Sequence, residues 1–148
     1  MAVKPIPDNY HTVTPYLVVP GAAKVIDFLK QTFDAKEVVR MAGPGGAVMH
    51  AEIKVGDSIV MMGEPMGPQP PMPAQLYVYV KDVDAVYKKA LAAGAATVCE
   101  PADQFYGDRN CTVKDPGGNH CGIATHIEDV SPEEMKKRMA AMMQKASS

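Results

Sequence analysis

What this chain lacks narrows its class before any motif is read. No stretch is apolar for long enough to cross a bilayer, and the opening MAVKPIPDNYH has no apolar run suited to a secretory signal. Lysine and arginine form no basic stripe, and the net charge is −2, which argues against nucleic acid and anionic membrane as partners. Cysteine is scarce: Cys99, Cys111 and Cys121 are odd in number and show no C-x-x-C spacing. Reduced thiols in a cytoplasmic protein are the expectation. What remains is a globular balance of 47% hydrophobic and 22% charged residues over 148 positions, enough for one domain or two half-domains sharing a core.

The organising stretch covers residues 12–33: TVTPYLVV, then Pro20-Gly21, then a helical pattern, AAKVIDFLKQTF. Shifted by 61 positions, Val80-Lys81-Asp82 falls under Val19-Pro20-Gly21 and QLYVYV under TPYLVV. By the same shift Gly117-Gly118-Asn119 falls under Gly56-Asp57-Ser58. Identity between the halves is poor, but the order of elements and turn residues holds without a gap, which predicts two copies of one module.

Residues 1–11, with two prolines, read as an arm. Residues 12–19 read as a strand whose Pro15 cannot donate to a ladder, marking an edge or a module junction. Ala22, Val25, Ile26, Leu29 and Phe33 recur at helical spacing, a stripe that must cover a sheet. Strands follow at 36–41, 48–55 and 58–63, the last two joined as a hairpin about Gly56-Asp57. Five prolines between positions 63 and 74 exclude helix and central strand, leaving 64–74 as a semi-stiff connector. The second copy gives a strand at 75–80 and a helix at 83–93, capped by Asp82 and stopped by Gly94. Strands at 96–100, 109–114 and 120–125 complete it. A capping box, Ser131-Pro132-Glu133-Glu134, opens a last helix over 131–145, whose Met135, Met139 and Met142 form a face suited to packing. The expected fold is α+β: one domain over 1–148, with βαβββ modules at 12–63 and 75–126 building a cupped mixed sheet with helices outside.

Module order, TPYLVVPGAAKVIDFL, HAEIKVGDSIVMMGE, and QFYGDR followed by KDPGGNHCGIATH together resemble the vicinal oxygen chelate superfamily over about residues 10–127. That superfamily contains glyoxalase, the bleomycin resistance proteins and extradiol dioxygenases, and these segments most resemble its PhnB-like branch. The resemblance implies a site inside the cupped sheet, with one metal ligand from the first and last strand of each module. Those positions map to Thr14, Met61, Gln75 and Gly122, which the 61-residue offset relates in pairs (75 − 14 and 122 − 61). A lone glutamine amide among Thr, Met and Gly does not hold a divalent cation, so neither metal nor cofactor is expected.

Strand alternation then fills the cup. With Thr14 and Gln75 facing in, so do Tyr16, Tyr77 and Tyr79. Glu52, opposite Met61 across the hairpin, brings His50 and Lys54 with it, and the apolar Ala51, Ile53 and Val55 behind them support that register. His120 faces in from the last strand, and Tyr106 and Arg109 of QFYGDR stand at the mouth. Duller readings exist for each: a solvated strand face for His50 and Glu52, turn packing for His120, a pairing of Arg109 with Asp108 or Asp103. Stacking faces with a few polar anchors suit a planar or conjugated small molecule. Three functions follow as expectations. The first is a metal-free binding protein that sequesters an aromatic antibiotic or toxin, as the resemblance implies. The second is a lyase- or isomerase-type enzyme using His50, Glu52 or His120 as acid and base or as nonstandard metal ligands. The third is a structural or regulatory oligomer with a vestigial cup. A homodimer is expected in each case, because open sheet edges and a long connector permit modules to pair between chains.

Overall fold

The computed structural model describes residues 2–147. In the first half, strand β1 (Tyr16–Val18) leads through Pro20-Gly21 into helix α1 (Ala22–Phe33), and strands β2 (Lys36–Ala42), β3 (Val48–Val55) and β4 (Ser58–Gly63) follow. The second half repeats the pattern with β5 (Gln75–Tyr79), α2 (Val83–Ala92), β6 (Ala96–Asp103), β7 (Asp108–Lys114) and β8 (His120–His126). Helix α3 (Pro132–Ala146) ends the described chain, capped at its start by Ser131 Oγ, which accepts from the Glu134 amide at 3.2 Å. Among the described residues, no helix is long and apolar enough to cross a membrane.

The two-module α+β architecture is the expected one, but in place of one cupped sheet each module forms its own open four-stranded mixed sheet. Their orders are β1-β4-β3-β2 and β5-β8-β7-β6, and in each the first strand runs parallel to the last. Tyr16 pairs with Met61, and 61 residues later Tyr77 pairs with Gly122. The offset slips on the third strands: Glu52 lies opposite Met61 but Thr112 opposite Gly122, and 112 − 52 is 60. The reason is one inserted turn residue. Val55 and Ser58 close the first hairpin around Gly56-Asp57, whereas Asp115 N donates to Asn119 O around Pro116, Gly117 and Gly118.

The repeat extends to helix capping. Gly21 offers no side chain to α1, so the carboxylate of Glu64 accepts from the amides of Gly21 (3.1 Å) and Ala22 (2.9 Å). That meets orphan donors with charge of the sign the helix start favours. Thr125, again 61 residues on, accepts from the Val83 amide at 2.9 Å and donates to Val80 O at 2.9 Å. Asp82 adds a bond from the Ala85 amide.

Each helix covers one face of its sheet, and one buried cluster runs through both modules, from Leu17, Ile26 and Ile53 to Val113 and Ile123. Helices α1 and α2 pack on one another. A Cβ on Gly117 would lie 2.4 Å from Val25 Cγ2, so the β7–β8 turn seats on α1 only as glycine. Three boundaries differ from the sequence reading. Strand β1 begins at Tyr16 rather than residue 12, because the arm leaves the sheet before Pro15. Strand β6 runs on to Asp103 through Pro101, which register shifts on either side of Cys99 accommodate. Strand β8 gains His126, which proves important for the site. The faces away from the helices lie open.

Candidate functional site

On the first sheet, alternation along β3 buries Ala51, Ile53 and Val55 and turns His50 and Glu52 to the open face. There the side chains join in a chain. Tyr16 Oη lies 3.1 Å from His50 Nδ1, and His50 Nε2 lies 3.5 Å from Glu52 Oε2. The other carboxylate oxygen, Oε1, accepts from the hydroxyl of Tyr10. That bond, the largest cause, raises the Tyr10 pKa above the usual phenol value. Tyr10 belongs to the N-terminal arm, which folds across this face. Arm residues Ile6, Tyr10 and His11 enclose a cavity of about 350 Å³ with Thr14, Glu52 and Met61.

On the second sheet the centre is Asp108, only 4% exposed. Its Oδ2 accepts from the hydroxyls of Tyr77 (2.7 Å) and Tyr79 (3.0 Å), and its Oδ1 lies 2.9 Å from His126 Nδ1. Burial opposes the charge most strongly, yet hydrogen bonds from His126, Tyr77 and Tyr79 together hold the carboxyl below the usual carboxylate range. Asn110, one turn of alternation away, donates through Nδ2 to the hydroxyls of Tyr77 (3.0 Å) and Tyr106 (2.7 Å). His126 also meets Asp129, Nε2 to Oδ1, at 2.8 Å; that bond first, then Asp108, raises its pKa. Burial pushes the Tyr77 phenol well up, and the bond to Asp108 raises Tyr79. Both tyrosines are therefore neutral donors that keep their rings accessible, at 44% and 62% exposure. The two rings stand 5.3 Å apart at 69°, forming a corner.

The expected residues thus fall into two groups. Tyr16, His50 and Glu52 make contact on the first sheet, with Thr14 and Met61 beside them under the arm. Tyr77, Tyr79 and Tyr106 converge on the second. Gln75 and His120 are register partners at the other end of β5 and β8, away from Asp108. Arg109 follows the pairing alternative of the sequence reading, with Asp103 and, in addition, Asp84. Alternation with buried Cys111 and Val113 turns it to the helix side, where Asp84 clasps it through two bonds (2.9 and 3.0 Å) and Asp103 through one (3.0 Å). Asp108, Asn110, His126 and Tyr10 are the residues that sequence reasoning did not find. Carrying the alternation back from Thr112 reaches Asn110 and Asp108, and carrying it on from Ala124 reaches His126. Tyr10 left no such signal.

Among the described residues, no group of three or more His, Cys, Asp or Glu converges as a metal site. Of the four positions that the resemblance marks for a metal, only Gln75 carries a side-chain amide, and none is His, Asp or Glu. A Cβ at Gly122 would lie 2.8 Å from Tyr77 Cδ2, so the tyrosine ring occupies the space a ligating side chain there would need. Met61 offers a soft thioether and Thr14 a neutral hydroxyl. Cys111 and Cys121 are inert: burial raises both thiols, Cys121 to about 12.

A larger cavity, about 830 Å³, wraps the free edge of β5. It lies between the two modules, lined by Leu76, Tyr77, Val78 and Tyr79 of β5 and by Leu29, Phe33, Val55 and Val60 of the first module.

Comparison with known proteins places this geometry among relatives. The family model described as the Glyoxalase/Bleomycin resistance protein/Dioxygenase superfamily matches residues 10–122. An uncharacterized protein of Mycobacterium bovis is 35% identical over 140 residues, spanning 87% of this chain and 92% of its own. Among solved structures, TioX from Micromonospora sp. ML1 superposes with a TM-score of 0.68 at 25% identity, covering 79% of this chain and 99% of that one. TnmS3, an antibiotic binding protein from Streptomyces sp. CB03234, gives 0.62 at 22% identity over 85% and 98% of the two chains. A putative 3-demethylubiquinone-9 3-methyltransferase, the PhnB protein of Bacillus cereus, gives 0.61 at 17% over 78% and 99%.

Proposed function

This chain belongs to the glyoxalase/bleomycin resistance protein/dioxygenase superfamily, and from that premise we propose that it binds a small conjugated molecule without the help of a metal. The observation that carries this reading is the second sheet's aromatic corner: Tyr77 and Tyr79 held in place by a buried carboxylate, with Tyr106 tied to the same network through Asn110. Rings fixed before binding lose little freedom on binding, which favours stacking ligands. The adjoining cavity of about 830 Å³ falls within the range of drug-sized sites. The antibiotic-binding description of TnmS3 supports an antibiotic or toxin as the class to try first. Sequestration alone accounts for such a site, with two copies of the chain associating so that open faces are completed across the pair.

The chain has no tryptophan and six tyrosines, so its intrinsic emission comes from tyrosine, and Tyr77, Tyr79 and Tyr106 stand at this site. A panel of conjugated antibiotics titrated into the protein, with chelator present, is expected to contain at least one compound that quenches tyrosine emission saturably. Binding of that compound should weaken at least about tenfold, or 1.4 kcal/mol, in Tyr77→Leu. A panel without saturable quenching, or a Tyr77→Leu variant that binds as well as the parent, would count against the reading.

A second reading rests on Tyr16 Oη within 3.1 Å of His50 Nδ1, with the Glu52 carboxylate 3.5 Å from the other ring nitrogen, a grouping from which an acid–base pair could be drawn together by a ligand. Mass spectrometry of the bound compound separates the two. Recovery unchanged supports sequestration, whereas conversion that disappears in His50→Gln supports an enzyme.

A further inference from the structure

We infer that the second module's aromatic corner is a site for an organic cation, an alkylated ammonium carried by the conjugated ligand. This inference rests on the binding reading above and names the ligand's chemistry. The rings of Tyr77 and Tyr79 meet edge to face at 69° with centroids 5.3 Å apart, so the pair is locked by its own contact and keeps exposed ring surface for a guest. Tyr106 supplies a third phenol, positioned by the Asn110 amide at 2.7 Å. Both corner hydroxyls donate to one carboxylate oxygen, Asp108 Oδ2. A phenol that donates to a carboxylate carries more electron density on its ring, and a richer ring face attracts a cation more strongly. The carboxylate itself lies behind the rings, 4% exposed, so it acts on a guest through the tyrosines and through its field and stays out of direct contact.

The surroundings agree with a positive guest. His126, on the other carboxylate oxygen, is matched on its far side by Asp129, so a proton on its ring does not leave the cluster positive. Arg109, the nearest guanidinium in sequence, is clasped by Asp84 and Asp103 on the opposite face. Lys114 stands at the far end of β7 from Asp108, and the lysines that line the adjoining cavity, Lys81 and Lys89, are matched there by Asp34 and Asp57. Gly122 completes the arrangement, because any side chain there would push the Tyr77 ring out of the corner.

The test compares phenyltrimethylammonium with tert-butylbenzene, two probes of one shape that differ in charge, by calorimetric or NMR titration of the whole chain. The cation is expected to bind on the order of tenfold more tightly than its neutral isostere. Tyr79→Leu, at an exposed position, should abolish that preference. Asp108→Asn should reduce it, and Tyr87→Leu, whose hydroxyl meets Thr97 away from the corner, should leave it intact. Equal affinity for the two probes, preference for the neutral one, or binding of neither overturns the inference. If an antibiotic of the panel still quenches tyrosine emission in that event, the binding function stands and only the cation assignment falls. If nothing in the panel binds either, the parent reading falls with it.

Discussion

Asp108 accepts hydrogen bonds from two phenols and a histidine while almost fully buried. Replacing it by asparagine removes the charge that the three partners meet and leaves one acceptor oxygen where there were two. Hydrogen bonds to a charged group contribute about 1.5–3 kcal/mol, so Asp108→Asn is expected to lower stability by about 2 kcal/mol, read from urea unfolding. An unchanged midpoint would show that the network is incidental. His126 gives a signed pH dependence. Its pKa is raised by Asp129 and Asp108, so the stability from these contacts is fully present below the unfolded value of about 6.5. It is lost as pH rises through the higher folded value. The melting temperature should therefore fall over that window in the parent and not in His126→Gln. Asp108 has the opposite sign: its pKa is lowered, so its contribution holds at neutral pH and disappears as acid protonates it below the usual carboxylate range.

At the level of elements, each module's last strand caps its own helix, through Glu64 in one and Thr125 in the other. Glu64→Ala removes the acceptor for two amides at the start of α1 and should cost about 1 kcal/mol, measured by thermal or chemical unfolding. Glu64→Gln should recover part of the loss, because its carbonyl still accepts. Element order was legible in the chain because hydrophobic period and turn residues agree over nearly every segment. Both helices, the connector, and the β3–β4 hairpin lie where the pattern put them. The failures have local causes. Pro15 delays the start of β1 to Tyr16, since its ring nitrogen has no proton to give to the ladder. The one-residue insertion at Pro116-Gly117-Gly118 was invisible to an ungapped shift, because glycines and an asparagine align with either turn. The second sheet's face was obscured for a related reason: Arg109, Cys111 and Val113 do not read as an apolar stripe until Arg109 is seen paired to α2.

Across the whole molecule, the site residues visible in the sequence were those on strands with clean alternation: Tyr16, His50, Glu52, Tyr77 and Tyr79. Those that depend on a strand end or on long-range folding of the arm, His126 and Tyr10, were not. Apolar side chains exposed along the strands, Val38, Met41, Tyr79 and Val98, lead to the expectation that the chain is a homodimer. Size-exclusion chromatography with light scattering at micromolar concentration should return twice the chain mass, and a monomer would refute the shared-face arrangement. The most direct test of the binding account is a two-dimensional NMR map of the chain saturated with the tightest compound of the antibiotic panel. The account predicts perturbations concentrated on Tyr77, Tyr79, Asn110, Asp108 and Gly122, extending along the free edge of β5. Perturbations confined to α3 or to the outer surfaces of α1 and α2, with these residues unmoved, would contradict it.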